Sequence, residues 1–152
     1  MGRVELVSGS PAETEAIAGR LAALLRPRDL VTVSGELGSG KTTFVRGAAR
    51  ALGVTSAVTS PTYTIGHRYD GVSHLDLYRL ERLTDADWGA VEPYLEDAIC
   101  FVEWPERAAG WLPPERVAVT LRHRVSVRRL VVLESSERGL LEGVFGGADP
   151  RS

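Results

Sequence analysis

The chain has 152 residues and a mass of 16.4 kDa, enough for one domain with its own core. Hydrophobic residues make up 43%, charged residues 25%, and the net charge is −2, so no bulk basic field marks a nucleic-acid coat protein. The single cysteine, Cys100, excludes an internal disulfide and suits a reducing, cytoplasmic compartment. No apolar run is long enough for a membrane span, and the first dozen residues lack a secretory apolar segment.

In chain order, alternation over residues 3–7 predicts a short strand. Ser10-Pro11-Ala12-Glu13 is a capping box with proline at the first helical position, and the helix it opens stops near Pro27. Leu30-Val31-Thr32-Val33 predicts a buried strand running into Gly35. A helix follows over 42–52, closed by Gly53 as a left-handed cap. Residues 63–69 and 72–78 flank Asp70-Gly71 and predict a hairpin.

Thr84 to Asp87 forms a second capping box, followed by another helical stretch over 92–96. The continuous apolar run 98–102, ending at Glu103, predicts a central strand. Pro105, Pro113 and Pro114 punctuate a surface segment. Strands are expected at 117–121 and 130–133, a closing helix at 137–144 and a frayed tail at 146–152. The expected fold is one α/β domain, residues 1–145, with a mixed central sheet flanked by helices.

Of the 18 basic residues, 17 are arginine and one is lysine, Lys41. Arginine and lysine exchange freely on most surfaces but not at a point-charge phosphate site, so the lone lysine marks a place to look. It lies in Gly35-Glu36-Leu37-Gly38-Ser39-Gly40-Lys41-Thr42, which fits G-x-x-x-x-G-K-[ST] at every position. An apolar strand precedes the loop, and a helix opening on Thr42-Thr43 follows it. Glycines let backbone N–H groups turn inward around phosphate oxygens while the helix aims its positive end at them. Lys41 supplies a compact ammonium, and the Thr42 hydroxyl suits Mg²⁺. The pattern reads as a nucleoside-triphosphate site.

Such a site normally has an acidic residue at the end of a neighbouring strand. Two fit: Glu103, ending the apolar run, and Asp76, in the alternating His74-Leu75-Asp76-Leu77-Tyr78. Alternation places His74, Asp76 and Tyr78 on one face. The residues alone do not rank the two carboxylates, and both are expected near the terminal phosphate. The chain contains no glutamine and no asparagine, so it has neither a Gln to place the attacking water nor an Asn-Lys-x-Asp guanine reader. That favours ATP. Water orientation falls to Asp76, Glu103 or a threonine of Thr59-Ser60-Pro61-Thr62-Tyr63-Thr64, a candidate switch loop.

Four segments in this order closely resemble the TsaE (YjeE) family: residues 35–44 with the glycine loop, Ser60-Pro61-Thr62-Tyr63-Thr64, His74-Leu75-Asp76-Leu77-Tyr78-Arg79-Leu80, and Val102-Glu103-Trp104-Pro105-Glu106. The resemblance implies a P-loop ATPase in threonylcarbamoyladenosine (t6A) modification of tRNAs that read ANN codons. It implies action with a TsaD–TsaB heterodimer, in which TsaD transfers the threonylcarbamoyl group, with tRNA met through that complex.

By position, the resemblance implies Thr42 and Glu103 as direct Mg²⁺ ligands, Asp76 as the acidic residue needed for hydrolysis and Thr62 as the switch-loop threonine. Arg128, on a looser alignment, corresponds to an arginine near the nucleotide. Glu36 and Ser39 stand where the family often has Asp and Ala, both at variable loop positions.

Two rival readings stay open. A small-molecule P-loop kinase needs a phosphoacceptor pocket and an arginine-rich lid, for which Arg79, Arg82 or the cluster from Arg122 to Arg129 would serve. A nucleotide-dependent interaction module would use ATP as a switch and bind its partner differently in the ATP and ADP states. The Arg122–129 cluster reads as a solvated strand or as a contact to tRNA or an acidic partner.

Overall fold

The computed structural model describes residues 2–58, 65–137 and 139–145. Its centre is a seven-stranded mixed sheet in the order β1-β7-β6-β2-β5-β4-β3. The strands are β1 (Gly2–Ser8), β2 (Leu30–Gly35), β3 (Gly66–Arg68), β4 (Val72–Asp76), β5 (Ile99–Glu103), β6 (Val117–His123) and β7 (Arg129–Ser135). Strand β2 lies between β5 and β6, parallel to both, and β4 runs parallel to β5. The β1–β7, β6–β7 and β3–β4 pairs are antiparallel. The described helices are α1 (Pro11–Ala22), α2 (Lys41–Ala51) and α3 (Asp85–Val91), with 3₁₀ turns at Glu92–Leu95 and Pro105–Ala108.

Each strand's period of two decides what the site receives. In β5, Ile99 and Phe101 face a core that includes Phe44, Val45 and Ala48 of α2, whereas Cys100 and Val102 face a second core with Leu75, Val91 and Ala108. Both faces of β5 are covered, which is why the run is apolar without alternation. Phe44 and Phe101 are fully buried, worth about 1.5–3 kcal/mol each in apolar transfer. Burial pushes the Cys100 thiol up to about 12, so it stays protonated as a small apolar filler. Helices α1 and α2 approach closely at Gly47, where a Cβ would sit 2.5 Å from the backbone of Glu15.

The local signals mostly hold. Ser10 accepts from Glu13 N–H, one half of its expected capping box, while the Glu13 carboxylate accepts from Gly9 N–H instead; Thr84 forms its full capping box with Asp87, and Gly53 closes α2 with a φ of 93°. The Asp70-Gly71 turn is closed by Tyr69 N–H to the Val72 carbonyl at 2.7 Å.

Several boundaries differ. Strand β4 ends at Asp76, two residues before the expected Tyr78, because Tyr78 N–H turns to the Asp76 carboxylate and Leu80 N–H closes a turn on the Leu77 carbonyl. The 92–96 stretch is a 3₁₀ turn opened by Pro93, and strands β6 and β7 run longer than expected. The closing helix expected over 137–144 is instead a series of turns among the described residues, because Gly139 adopts a φ of 83° that an α-helix cannot accommodate. Residues 59–64, including Thr62, and the tail expected at 146–152 lie outside the described residues.

Candidate active site

The glycine loop leaves the C-terminal end of β2 and enters α2, at the carboxyl edge of the parallel strands, where open α/β sheets bind ligands. Gly35 passes so close to β6 that a Cβ would lie 2.5 Å from both the Leu121 carbonyl and Ser39 Oγ. Gly38 and Gly40 hold φ values of 76° and 102°, a left-handed geometry open to glycine at little cost. Their N–H groups have no hydrogen-bond partner among the described residues. Beneath the loop Ser39 is fully buried, and its Oγ has no partner among the described residues.

Lys41 opens α2 and folds back over the loop. Its Nζ donates to the Gly35 and Glu36 carbonyls at 2.6 and 2.8 Å and lies 4.4 Å from the centre of the Trp104 ring. Burial holds this amine below the usual lysine range, although Glu103 and Asp76 pull the other way. Trp104 follows β5 in a left-handed conformation, φ 58° and ψ 51°, at a cost of about 1–3 kcal/mol. That turn sets the indole over Lys41 and 4.9 Å from the Tyr78 ring.

Register assembles the acidic wall. Asp76 pairs with Glu103 at the ends of β4 and β5, and His74 with Phe101 two residues back. Alternation sends Val72, His74 and Asp76 of β4 and Ile99, Phe101 and Glu103 of β5 to the same side, toward α2. Thr42, in the first turn of α2, donates its hydroxyl to Glu103 at 3.0 Å (Oε2) and 3.3 Å (Oε1).

Glu103 is 2% exposed, and a buried carboxylate is tolerated only with strong partners. Its second partner is His74, fully buried, with Nε2 at 2.5 Å from Oε2. In the tautomer protonated on Nε2 the ring donates to the carboxylate and leaves Nδ1 a bare acceptor without a partner among the described residues. Asp76 is half-buried and accepts from Tyr78 N–H at 3.1 Å, and burial pushes its carboxyl above the usual range.

These groups border a cleft of about 370 Å³. Of the residues expected there, Leu37, Gly38, Gly40, Lys41, Thr42, Thr43, Asp76 and Glu103 line it. Gly35, Glu36 and Ser39 lie behind, their part being loop shape and the carbonyls that hold Lys41. Arg128 is not among the cleft residues. It is exposed at the turn between β6 and β7, and Arg129 instead reaches the loop, donating to the Gly38 carbonyl at 3.4 Å. The sequence reading missed the tie of His74 to Glu103 and the Trp104–Tyr78 wall. The alternation placing His74 and Tyr78 on Asp76's face was the available signal.

The residues fit a hard divalent cation. A hydroxyl and a carboxylate already share one point at the mouth of the loop, and Mg²⁺ takes one or two protein oxygens and completes its shell with water and phosphate.

The family described as "Threonylcarbamoyl adenosine biosynthesis protein TsaE" matches residues 8–131. The chain is 43% identical to the tRNA threonylcarbamoyladenosine biosynthesis protein TsaE of Bacillus subtilis (strain 168), covering 74% of this chain and 73% of that protein. It is 38% identical to the protein of the same name from Streptomyces coelicolor, covering 78% and 88%. The crystal structure of YdiB from Bacillus subtilis superposes with a TM-score of 0.78 at 30% identity over 94% of both chains. With this fold, a P-loop NTPase-like α/β sheet, and these matches, the chain belongs to the TsaE family.

Proposed function

We propose that this protein is a cytoplasmic, Mg²⁺-dependent ATPase serving t6A modification of tRNAs that read ANN codons, in concert with a TsaD–TsaB heterodimer. The observation that carries the ATPase reading is the meeting of the Thr42 hydroxyl and the Glu103 carboxylate at 3.0 Å, with Asp76 beside them at the mouth of the glycine loop. The names of its relatives support the pathway. Among the described residues no helix is long and apolar enough to cross a membrane.

In this reading the loop N–H groups and Lys41 hold the outer phosphates, Lys41 exchanging the Gly35 and Glu36 carbonyls for phosphate oxygens. Thr42 and Glu103 would hold Mg²⁺, which supplies charge neutralisation as the phosphoryl group leaves. Asp76 orients the attacking water and takes up its proton, a task that its half-buried carboxyl suits. Thr62 is the second candidate for placing the water. His74 fixes the carboxylate of Glu103, and Trp104 with Tyr78 screens one side of the cleft.

No arginine lines the cleft among the described residues: Arg128 is exposed on the hairpin turn, Arg129 binds a loop carbonyl, and Arg107, 6.0 Å from the Tyr78 ring, donates to the Leu80 carbonyl. The isolated chain is therefore slow, and the partner completes or unlocks the site. Measuring phosphate release with and without TsaD–TsaB tests this. Turnover well below about 1 s⁻¹ alone, rising with the complex, is expected. Turnover above about 10 s⁻¹ with no response to the complex overturns the reading.

A further inference from the structure

Five large hydrophobic residues stand out as exposed among the described residues: Val7, Leu37, Tyr78, Val125 and Val127. Strand register, and the path of the chain past β2 and β4, put all five at the carboxyl end of the parallel strands. Leu121 pairs with Gly35, so Arg122 and its partner Leu130 lie one step beyond the start of the glycine loop, and Val7 pairs with Leu130 in the same row. Tyr78 lies two residues past Asp76, on the same side, and Leu37 is in the loop itself. Val125 and Val127, 85% and 64% exposed, form the tip of the β6–β7 hairpin, which projects past this end. Arg129 ties the hairpin to the loop through Gly38.

Charge is concentrated in the same place. Residues 117–133 hold Arg122, Arg124, Arg128, Arg129 and no acidic residue, in a chain whose net charge is −2. Arg122, Arg124 and Arg128 form no ion pair among the described residues. Apolar tips ringed by arginine match a protein interface, in which an apolar centre is enclosed by a polar rim and arginine is enriched. Valine offers no plane on which a base can stack and no donor to read one, so the tip is poorly suited to RNA.

We propose that the β6–β7 hairpin is the docking element for an acidic protein face that covers the loop edge, with Val125 and Val127 as its apolar anchors and Arg122 and Arg124 as its electrostatic guides. The inference rests on the proposed function for the partner's identity: the occupant is a face of the TsaD–TsaB pair. Opposite charge would set the encounter rate and salt sensitivity, and the valines would set residence time.

The test is titration of the full chain with TsaD–TsaB, in the presence of ATP and Mg²⁺, at low and high salt. Three proteins are compared: wild type, Val125→Ser/Val127→Ser and Arg122→Glu/Arg124→Glu. The serine pair lies on an exposed turn, so it keeps the fold and the nucleotide affinity of the isolated chain, both measured alongside. Its affinity for the complex falls about tenfold or more. The charge reversal weakens binding further at low salt, and the gap narrows at high salt. Binding by wild type with no loss in either variant overturns the hairpin assignment and leaves the proposed function standing. Absence of wild-type binding overturns the proposed partner and this inference with it. Loss of tRNA binding in the variants, with TsaD–TsaB binding unchanged, assigns the surface to RNA and overturns the inference.

Discussion

The glycine loop and the acidic wall opposite it are built on different principles. The loop uses backbone: its glycines expose N–H groups, its one cationic side chain is held by its own carbonyls, and its residues are consecutive. The wall uses side chains, drawn from two strands and a helix: His74, Asp76, Glu103 and Thr42. A cradle of amides tolerates any phosphate chain, whereas the wall must hold particular oxygens at particular angles. Binding energy should therefore concentrate in the loop, and turnover and metal dependence in the wall.

Lys41→Ala breaks the loop side of this division. It should weaken ATP binding and reduce hydrolysis by about a thousandfold or more, with circular dichroism and melting little changed. If the variant still bound ATP at wild-type affinity, the loop would not be where binding resides.

Asp76→Asn acts on the wall. ATP affinity should be kept while turnover falls by about a hundredfold or more, read by single-turnover hydrolysis. Its stability effect has the opposite sign. Burial raises the Asp76 carboxyl, so the folded state favours the protonated form. The stability from that group is full below its unfolded pKa and is lost as pH rises through the raised folded value. At neutral pH the anion therefore costs stability, and Asn should raise Tm there in thermal melts. The same shift predicts that hydrolysis declines on acidification at a higher pH than an ordinary aspartate would give. A Tm that fell in the variant would show that Asp76 serves the fold instead.

His74→Ala should have the smallest effect of the three: a Mg²⁺ requirement raised about tenfold to a hundredfold, read from the metal dependence of nucleotide binding. His74→Gln, whose amide can donate to Glu103, should recover part of it. Equal losses in both variants, matched by a drop in Tm, would reduce His74 to a core residue.

How much of this was legible beforehand follows the same division. The loop was readable residue by residue, since eight consecutive positions and their flanking elements determine it. The sequence left Glu103 and Asp76 unranked, because both end strands and no local rule says which faces the helix. Register turns both toward α2, and Thr42 donates to Glu103. The helix expected at 137–144 failed for a local reason: the positive φ of Gly139 outweighed the helical apolar spacing. Arg128, expected near the nucleotide, is exposed on the hairpin turn outside the cleft, and it is Arg129, at the start of β7, that reaches the loop.

What the sequence determined by itself was the phosphate loop with its single lysine, the strand and helix types around it, and the capping boxes, all set by residues within a few positions of each other. What only tertiary structure decided was the burial of His74 against Glu103, the left-handed turn that brings Trp104 over Lys41, and the arginine-rich hairpin at the loop's edge. These depend on strand order and register, which are fixed by the burial of the whole sheet and not by any segment of it.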